Sequence, residues 1–195
     1  MPSLKSIDTF KGVLSGGGAR ANLFEVQLTG LPGGVENASQ LWSKDVAKTF
    51  SFLCKSAALP ASNVGAVEVP FRGKILKVAG DRTFDTWTVT VINDENFAIR
   101  TALEEWSRSM VNYTTAAGLP NPTDYQTDAT IYQLGRKGGS GADNYLKAYS
   151  FYGIFPTNIG QIDLSYDNAD TVEEYTVEFQ VQYWKPGVAE ETGEE

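Results

Sequence analysis

The sequence predicts a mainly β protein with one covering helix, and three stretches carry this prediction. Residues 85–92 alternate between apolar side chains and threonines, which is the period of two expected of a half-buried strand. Residues 172–184 alternate in the same way over a longer run. Residues 94–110 instead space their apolar side chains as a helix does. Strands and a helix that each have one apolar face predict a sheet with a helix packed on one side.

The first and last strands alternate most regularly. In residues 23–28 we expect Phe24, Val26 and Leu28 to face inward and Glu25 and Gln27 to face outward. In residues 172–184 the expected inward set is Tyr175, Val177, Phe179, Val181 and Tyr183, and the polar set includes Glu178, Gln180 and Gln182. Each strand therefore offers one face to a core and one to water.

The centre of the chain, residues 54–94, is expected to form two antiparallel strands. The first covers residues 67–78, where Pro70 and Gly73 interrupt the alternation and indicate a bulge or bend. Residues 79–82 carry the turn chemistry, and residues 85–92 form the second strand.

Residues 29–54 precede this centre and divide into two parts. Residues 29–48 are predicted to be a loop or insertion, in which an exposed Trp42 would mark a contact surface. Phe50, Phe52 and Cys54 alternate and indicate a strand.

A single helix is predicted over residues 94–110. Its apolar stripe consists of Ile99, Leu103, Trp106 and Met110, and Asn93 or Asp94 is expected to supply the N-cap. Beyond it the signals weaken, with a short strand at residues 129–134 and a glycine-rich loop at 137–143. Later strands are expected at residues 146–155 and 161–166, separated by a turn at 156–158.

Composition and net charge limit the possible functions. A chain of 195 residues is long enough to bury a core in one β-rich domain. Its net charge of −8 argues against a surface that grips nucleic acid, since such affinity comes from Lys and Arg neutralising phosphates. The same charge is compatible with a surface past which DNA slides. The start shows neither a signal peptide nor a membrane-spanning segment, so we expect no membrane anchor.

Catalytic chemistry finds little support in the residues. The chain has no histidine, which removes the commonest general base and metal ligand. Its one cysteine, Cys54, fits a small buried apolar role better than a nucleophile. Asp81 and Asp85 flank Arg82, a pattern typical of turns and salt bridges more often than of an acid pair in catalysis. We therefore expect a protein that is not an enzyme, with no catalytic, cofactor-binding or metal-binding residues.

Three separated motifs then resemble one protein family. They read KILKVAGDRTFDTWTVTVINDE in the centre, ANLFEV near the start and GIFPTNIGQIDLSYD near the end. In this order they closely resemble the tail tube proteins of contractile-tailed, T-even-like bacteriophages. The resemblance covers residues 21–184 and implies a single tail tube domain there. The run Ser15-Gly16-Gly17-Gly18 indicates a flexible N-terminal arm at 1–20, and four glutamates against one lysine indicate an acidic C-terminal tail at 185–195 that we expect to be disordered.

The resemblance implies a fold and an assembly. Each subunit would form a β-sandwich or split barrel with one flanking α-helix, and six would form a ring that joins its strands into a continuous barrel. Rings would stack into the inner tube of a contractile tail, the channel for DNA ejection. The implied partners are the chain itself, the tail sheath protein, baseplate and tail terminator proteins, and a ruler protein inside the tube, with DNA passing without specific binding. The implied location is the virion, after assembly in the host cytoplasm.

Two sets of contact residues follow as hypotheses. The resemblance places the segment near residues 54–78 against the neighbouring ring, which makes Arg72 and Lys74 candidate inter-ring contacts. Either Glu25 and Gln27, or Glu178, Gln180 and Gln182, are candidates to line the channel, where negative charge would repel phosphates.

Two other functions remain open at this point. The inner tube of a type VI secretion or other contractile injection system has a related fold but carries protein effectors rather than DNA. A β-sandwich carbohydrate-binding module or a hydrolase would instead explain the aromatic and acidic residues, and would predict a monomer with a saturable ligand.

Overall fold

The computed structural model describes residues 7–14, 17–136, 144–167 and 170–187 of the chain. The expected glycine-rich loop at 137–143 and residues 188–195 of the expected acidic tail lie outside the described residues. The strands are β1 Phe24–Leu28, β2 Cys54–Ala57, β3 Ser62–Phe71, β4 Lys74–Phe84, β5 Trp87–Ile92, β6 Thr127–Leu134, β7 Tyr145–Ile159, β8 Glu174–Gln180 and β9 Tyr183–Gly187. The helices are α1 Ile7–Val13, α2 Ala38–Leu41, α3 Lys44–Leu53, α4 Ala98–Met110 and α5 Pro122–Tyr125.

Two antiparallel sheets share the long strand β7. The first half of β7 lies between β6 and β9, with β1 at the far edge, and this set is called sheet A. The second half pairs with β8, followed by β5 and β2, and this set is called sheet B. Gly153 lies at the crossing with φ +61°, and its N–H donates to the Asp128 carboxylate at 2.9 Å. A glycine in this conformation lets one strand bend from one sheet into the other.

The core lies between the two sheets, as the predicted mainly β sandwich requires. Trp87 of sheet B stacks on Phe151 of sheet A with ring centroids 4.9 Å apart, and Phe179 lies 5.2 Å from Trp87. All three side chains are fully buried. The inward set predicted for β5 and the start of β8 is confirmed, since Val89, Val91 and their neighbours on β8 are buried too.

The predicted flanking helix is confirmed as α4, although it begins later than expected. Ile99, Leu103 and Trp106 are buried, and the Trp106 indole donates to the Tyr125 carbonyl at 2.8 Å. The helix starts at Ala98 rather than at residue 94, because Phe97 adopts a left-handed conformation with φ 54°. Asp94 still helps to cap it, since its carboxylate accepts from the Ala98 N–H at 3.3 Å.

Residues 44–53 form a helix, so the strand predicted through Phe50 and Phe52 is wrong. Ser43 caps α3 by accepting from the Val46 N–H at 3.3 Å. Phe50 is buried, whereas Phe52 is 76% exposed on the other side of the helix. Trp42 does not meet the condition for a contact surface, because it is buried and packs on Phe50 with ring centroids 5.4 Å apart.

The central hairpin turns at residues 72–73 rather than at the predicted residues 79–82. Its turn is Arg72 and Gly73, both with positive φ, and residues 79–82 lie inside β4. Gly80 is instead next to a register shift between Val64 and Ala66, and a Cβ there would lie 3.2 Å from the Gly65 carbonyl oxygen. The glycine therefore permits a bulge with close backbones rather than a turn. Pro70 causes no such bulge, because it stays in register opposite Ile75.

Four predictions for the last third of the chain differ from the structure. Residues 156–158 are not a turn but continue β7, with a register shift between Pro156 and Asn158. Residues 161–165 form no strand. The long strand predicted at 172–184 is two strands, β8 in sheet B and β9 in sheet A, so Tyr183 is 42% exposed rather than inward. Residues 185–187, expected in the tail, belong to β9.

The expected N-terminal arm is partly helical. Residues 7–13 form α1, and none of its side chains is buried. Ile7, Phe10 and Val13 are each more than 60% exposed.

Candidate assembly interface

The most prominent surface is a long hairpin, residues 62–84, formed by β3 and β4. These strands make a two-stranded sheet separate from sheets A and B. At about 3.3 Å per residue, ten or eleven residues reach roughly 35 Å. Within β3 only Ser62 is even partly buried, and within β4 only Gly80 and Phe84 are. The hairpin therefore has solvent on both faces.

The long hairpin exposes many large apolar side chains. These are Val64, Val67, Val69, Phe71, Ile75, Leu76 and Val78, exposed by 44–67%. A soluble monomer rarely shows so extended an apolar surface, and an isolated two-stranded hairpin is marginally stable in water. The residues are typical of a strand pair that is covered by another chain.

The tip of the hairpin is basic. Arg72 lies over the Phe71 ring with its guanidinium carbon 5.5 Å from the ring centroid, and Lys74 opens β4 beside it. Lys77 lies 3.5 Å from Glu68 on the opposite strand. Among the described residues, neither Arg72 nor Lys74 has a carboxylate within ion-pair distance. The two candidate inter-ring residues therefore lie together, charged and exposed, at the far end of the hairpin.

The base of the hairpin is held by polar contacts between its own strands and by an aromatic contact with the sandwich. Arg82 donates to the Ser62 hydroxyl at 3.0 Å, and the Asn63 amide donates to Asp85 at 3.1 Å. Phe84 contacts Trp184 edge-on with centroids 6.1 Å apart. The acid pair considered for catalysis is thus partly used to hold the hairpin, because one of its carboxylates accepts from Asn63.

Both sheets end in strands with free backbone groups. Sheet A ends at β1 and β9, and sheet B ends at β2 and at residues 155–159 of β7. An edge strand presents unpaired N–H and C=O groups that can pair with another chain. The subunit therefore has complementary edges on which a larger sheet could continue.

The candidate channel residues fall on two different surfaces. Glu25 and Gln27 lie on the outer face of sheet A, where the Gln27 amide donates to the Glu25 carboxylate at 2.7 Å. Burial, and next the nearby Glu25 carboxylate, raise the pKa of Tyr145.

On the outer face of sheet B, Glu178 pairs in register with Thr88, and Gln180 follows along β8. The third residue of that set, Gln182, lies in the connection between β8 and β9 rather than in a strand. Since the outer faces point away from one shared core, the two sets cannot line the same channel surface of one subunit.

Cys54 has the environment of a core residue. It is 7% exposed, and burial raises the pKa of its thiol to about 12. A thiol that stays protonated near neutral pH is a poor nucleophile. Within the described ranges, no cluster of three or more acidic or cysteine side chains is arranged to hold a metal ion. No helix among the described residues is long and apolar enough to cross a membrane.

The family model described as "Phage tail tube protein" matches residues 19–186 of the chain. The chain belongs to the phage tail tube protein family. The chain is 32% identical over 178 residues to the tail tube protein gp19 of Enterobacteria phage T4, covering 91% of this chain and 98% of that protein. It is 25% identical to the tail tube protein of Serratia phage KSP90, over 89% and 92% of the two chains.

A solved structure has the same fold with little sequence identity. The sheath–tube complex of an extracellular contractile injection system contains a chain with a TM-score of 0.59 and 12% identity, covering 88% of this chain and 92% of that one. This confirms the tail tube fold. The protein is thus a structural component of a contractile phage tail and of the virion. The family assignment excludes the alternative of a carbohydrate-binding module.

Sequence reasoning missed α3 and the true turn of the hairpin. A signal for α3 was present, because Ser43 followed by Asp45 is a typical helix start. The signal for the turn was Arg72-Gly73, which stands midway between two apolar strands of similar length.

Proposed function

We propose that this tail tube protein forms six-membered rings that stack head to tail around a channel for DNA. The observation that carries the proposal is the long hairpin, which exposes apolar residues on both faces and has a basic tip. An arm of this kind reaches beyond its own subunit and is stabilised by a neighbour. In this proposal the chain has no catalytic role, since it forms the wall of the tube.

Ring closure would use the free sheet edges. Pairing an edge strand of one subunit with an edge of the next satisfies the backbone groups of both and abolishes the exposed edges. Because sheets A and B each have two free edges, either sheet can continue around a ring.

Stacking would use the long hairpin, with Arg72 and Lys74 as contacts to the next ring. A contact between different surfaces of identical subunits does not close on itself, so it propagates as a filament. Charge reversal at these two positions is expected to block stacking while the subunit stays folded.

The channel would be lined by the outer face of sheet B, which carries Glu178 and Gln180. Threonines accompany them, and the one lysine that we identify on this face, Lys55, forms an ion pair with Glu174. The outer face of sheet A is less suited, because Lys185 lies there on the rings of Tyr152 and Tyr183. A face without free cations lets DNA pass without binding.

The remaining partners follow from this role. We expect the outside of the tube to contact the sheath protein, its ends to contact baseplate and terminator proteins, and its channel to hold a ruler protein before DNA. Assembly would take place in the host cytoplasm. The fold shared with the tube of an extracellular contractile injection system keeps protein cargo as the second candidate.

Electron microscopy of purified protein tests this function. We expect hollow tubes whose end views show six subunits around a channel. Single cysteines at Glu178 or at Glu25, each labelled with a small gold particle, then locate the two faces. Gold on Glu178→Cys at the inner radius supports the sheet B channel, gold on Glu25→Cys at the inner radius overturns it, and a persistent monomer overturns the tube itself.

A further inference from the structure

The two ends of sheet B differ in chemistry. The long hairpin leaves at the Trp87 end of β5, where the Asp85 N–H donates to the Ala61 carbonyl at 3.1 Å. The connection between β7 and β8, described at residues 160–167 and 170–173, lies at the opposite end, where Ile92 pairs with Glu174. Two backbone bonds fix its ends, from Gly160 N–H to Thr176 and from Asn93 N–H to Glu173.

This connection is acidic and partly apolar. It carries four carboxylates, on Asp163, Asp167, Asp170 and Glu173, and has no lysine or arginine. Leu164 is 79% exposed and Val172 is 68% exposed. Both side chains line a shallow cleft together with Asp163 and Glu173. Residues 160–167 and 170–173 are called the acidic connection below.

The tip of the long hairpin has the complementary composition. Residues 70–77 contain three basic side chains and no acidic one. Phe71 is 67% exposed and Ile75 is 60% exposed beside Arg72 and Lys74. An apolar and basic tip therefore matches an apolar and acidic cleft, and opposite potentials favour one register over others.

We infer that the hairpin tip of one subunit docks on the acidic connection of a second copy of this chain in the next ring. The inference rests on the proposed function and names the acceptor of the hairpin. A subunit cannot fill its own cleft, because the tip extends away from one end of β5 while the connection lies about 20 Å off at the other end. Surfaces at opposite ends give a head-to-tail contact that repeats without limit.

Exchanging the charges of the hairpin tip and the acidic connection tests whether the two surfaces contact each other. The variant R72E/K74E and the variant D163K/D167K are each expected to form no tubes at concentrations at least about tenfold above that sufficient for the unmodified protein. Mixing the two is expected to restore tubes in which the variants alternate, since the tip of each variant is then opposite in charge to the acceptor of the other. The quadruple variant restores opposite charge at every contact and is expected to form tubes again.

A matched control changes the same number of carboxylates elsewhere. Asp8 and Glu36 are exposed and lie outside both surfaces, so D8K/E36K is expected to assemble like the unmodified protein. Failure of this control together with D163K/D167K would show a general effect of net charge and overturn the specific pairing.

Cross-linking gives a second measurement that does not depend on charge reversal. The chain has one native cysteine, and it is buried, so K74C/D163C carries two accessible thiols. A short bismaleimide is expected to link assembled subunits into a ladder that continues beyond six, whereas K74C mixed with D163C stops at pairs. If unmodified tubes form but no ladder appears, the acceptor is wrong and the proposed function stands. If the unmodified protein forms no rings or tubes, the proposed function itself fails.

Discussion

The sandwich body and the long hairpin are both antiparallel β structure, yet they are stabilised differently. Trp87, Phe151 and Phe179 are fully buried in the body, whereas Phe71 at the hairpin tip is 67% exposed. The body covers its apolar faces with the other sheet and with α4. The hairpin leaves most of its apolar side chains exposed, and in the proposed assembly a neighbouring copy covers them.

This difference separates folding from assembly. Residues of the body decide whether the subunit folds, because removing them leaves cavities in a packed core. In the proposed assembly, residues of the hairpin decide whether subunits join, because in the free subunit they contact mainly water. Variants in the two regions should therefore fail in different assays.

The largest expected effect is in the body. Replacing Trp87 with alanine removes the ring that stacks between the sheets, and such changes typically cost about 3–5 kcal/mol of unfolding free energy. Denaturant unfolding measures this loss. Leu164→Ala is the matched control, because its side chain is 79% exposed and its loss should change stability by less than about 0.5 kcal/mol. Equal losses in both variants would contradict the assigned core.

A second effect in the body depends on pH. Burial raises the pKa of the Cys54 thiol from 9.0 to about 12, so the folded state binds this proton more tightly than the unfolded state. The free energy of unfolding should be unaffected by this group below pH 9 and fall as the pH rises from 9 towards 12. Unfolding curves at pH 8 and pH 10.5 measure the fall, which should be smaller in Cys54→Ala. An identical pH dependence in both proteins would contradict burial of the thiol.

A third variant should leave the body intact and prevent assembly. Phe71→Asp with Ile75→Asp places charges in the expected apolar contact of the hairpin tip. We expect an unfolding free energy within about 0.5 kcal/mol of the unmodified subunit, because both positions are exposed. Tubes should be absent by electron microscopy. A large loss of stability would instead show that the hairpin packs on its own subunit.

The smallest expected effect concerns the ion pair on the hairpin. Glu68 and Lys77 lie 3.5 Å apart on its surface, and exposed pairs contribute about 0–1 kcal/mol. Glu68→Gln should leave both unfolding and tube formation almost unchanged. A strong assembly defect in this variant would place the inter-ring contact along the hairpin rather than at its tip.

The spacing of apolar residues was sufficient to predict burial where one face of a strand or helix is buried in its own subunit. The alternation in β5, the start of β8 and β1, and the stripe of α4, all predicted the observed burial. The hairpin turn was placed wrongly because both faces of the hairpin are exposed, so its alternation indicates no inside. Glycine then misled the prediction, since Gly80 permits a bulge while Arg72 and Gly73 form the turn.

The residues proposed for assembly could be identified from the sequence only in part. Family resemblance led to Arg72 and Lys74, which the structure places together at an exposed tip. It could not separate Glu25 and Gln27 from Glu178 and Gln180, because an alternating strand does not reveal which sheet it joins. The sequence did not indicate the acidic connection as a surface loop, because residues 161–166 alternate like a strand. In the described chain no neighbouring strand pairs with them.

Hydrogen exchange, measured by mass spectrometry on free subunits and on assembled tubes, tests the difference between body and hairpin most directly. We predict that amides of β5 and β8 exchange slowly in both states, whereas amides of residues 62–84 exchange quickly in the subunit and slowly in the tube. Equal protection of the hairpin in both states would contradict the claim that a neighbouring copy stabilises it.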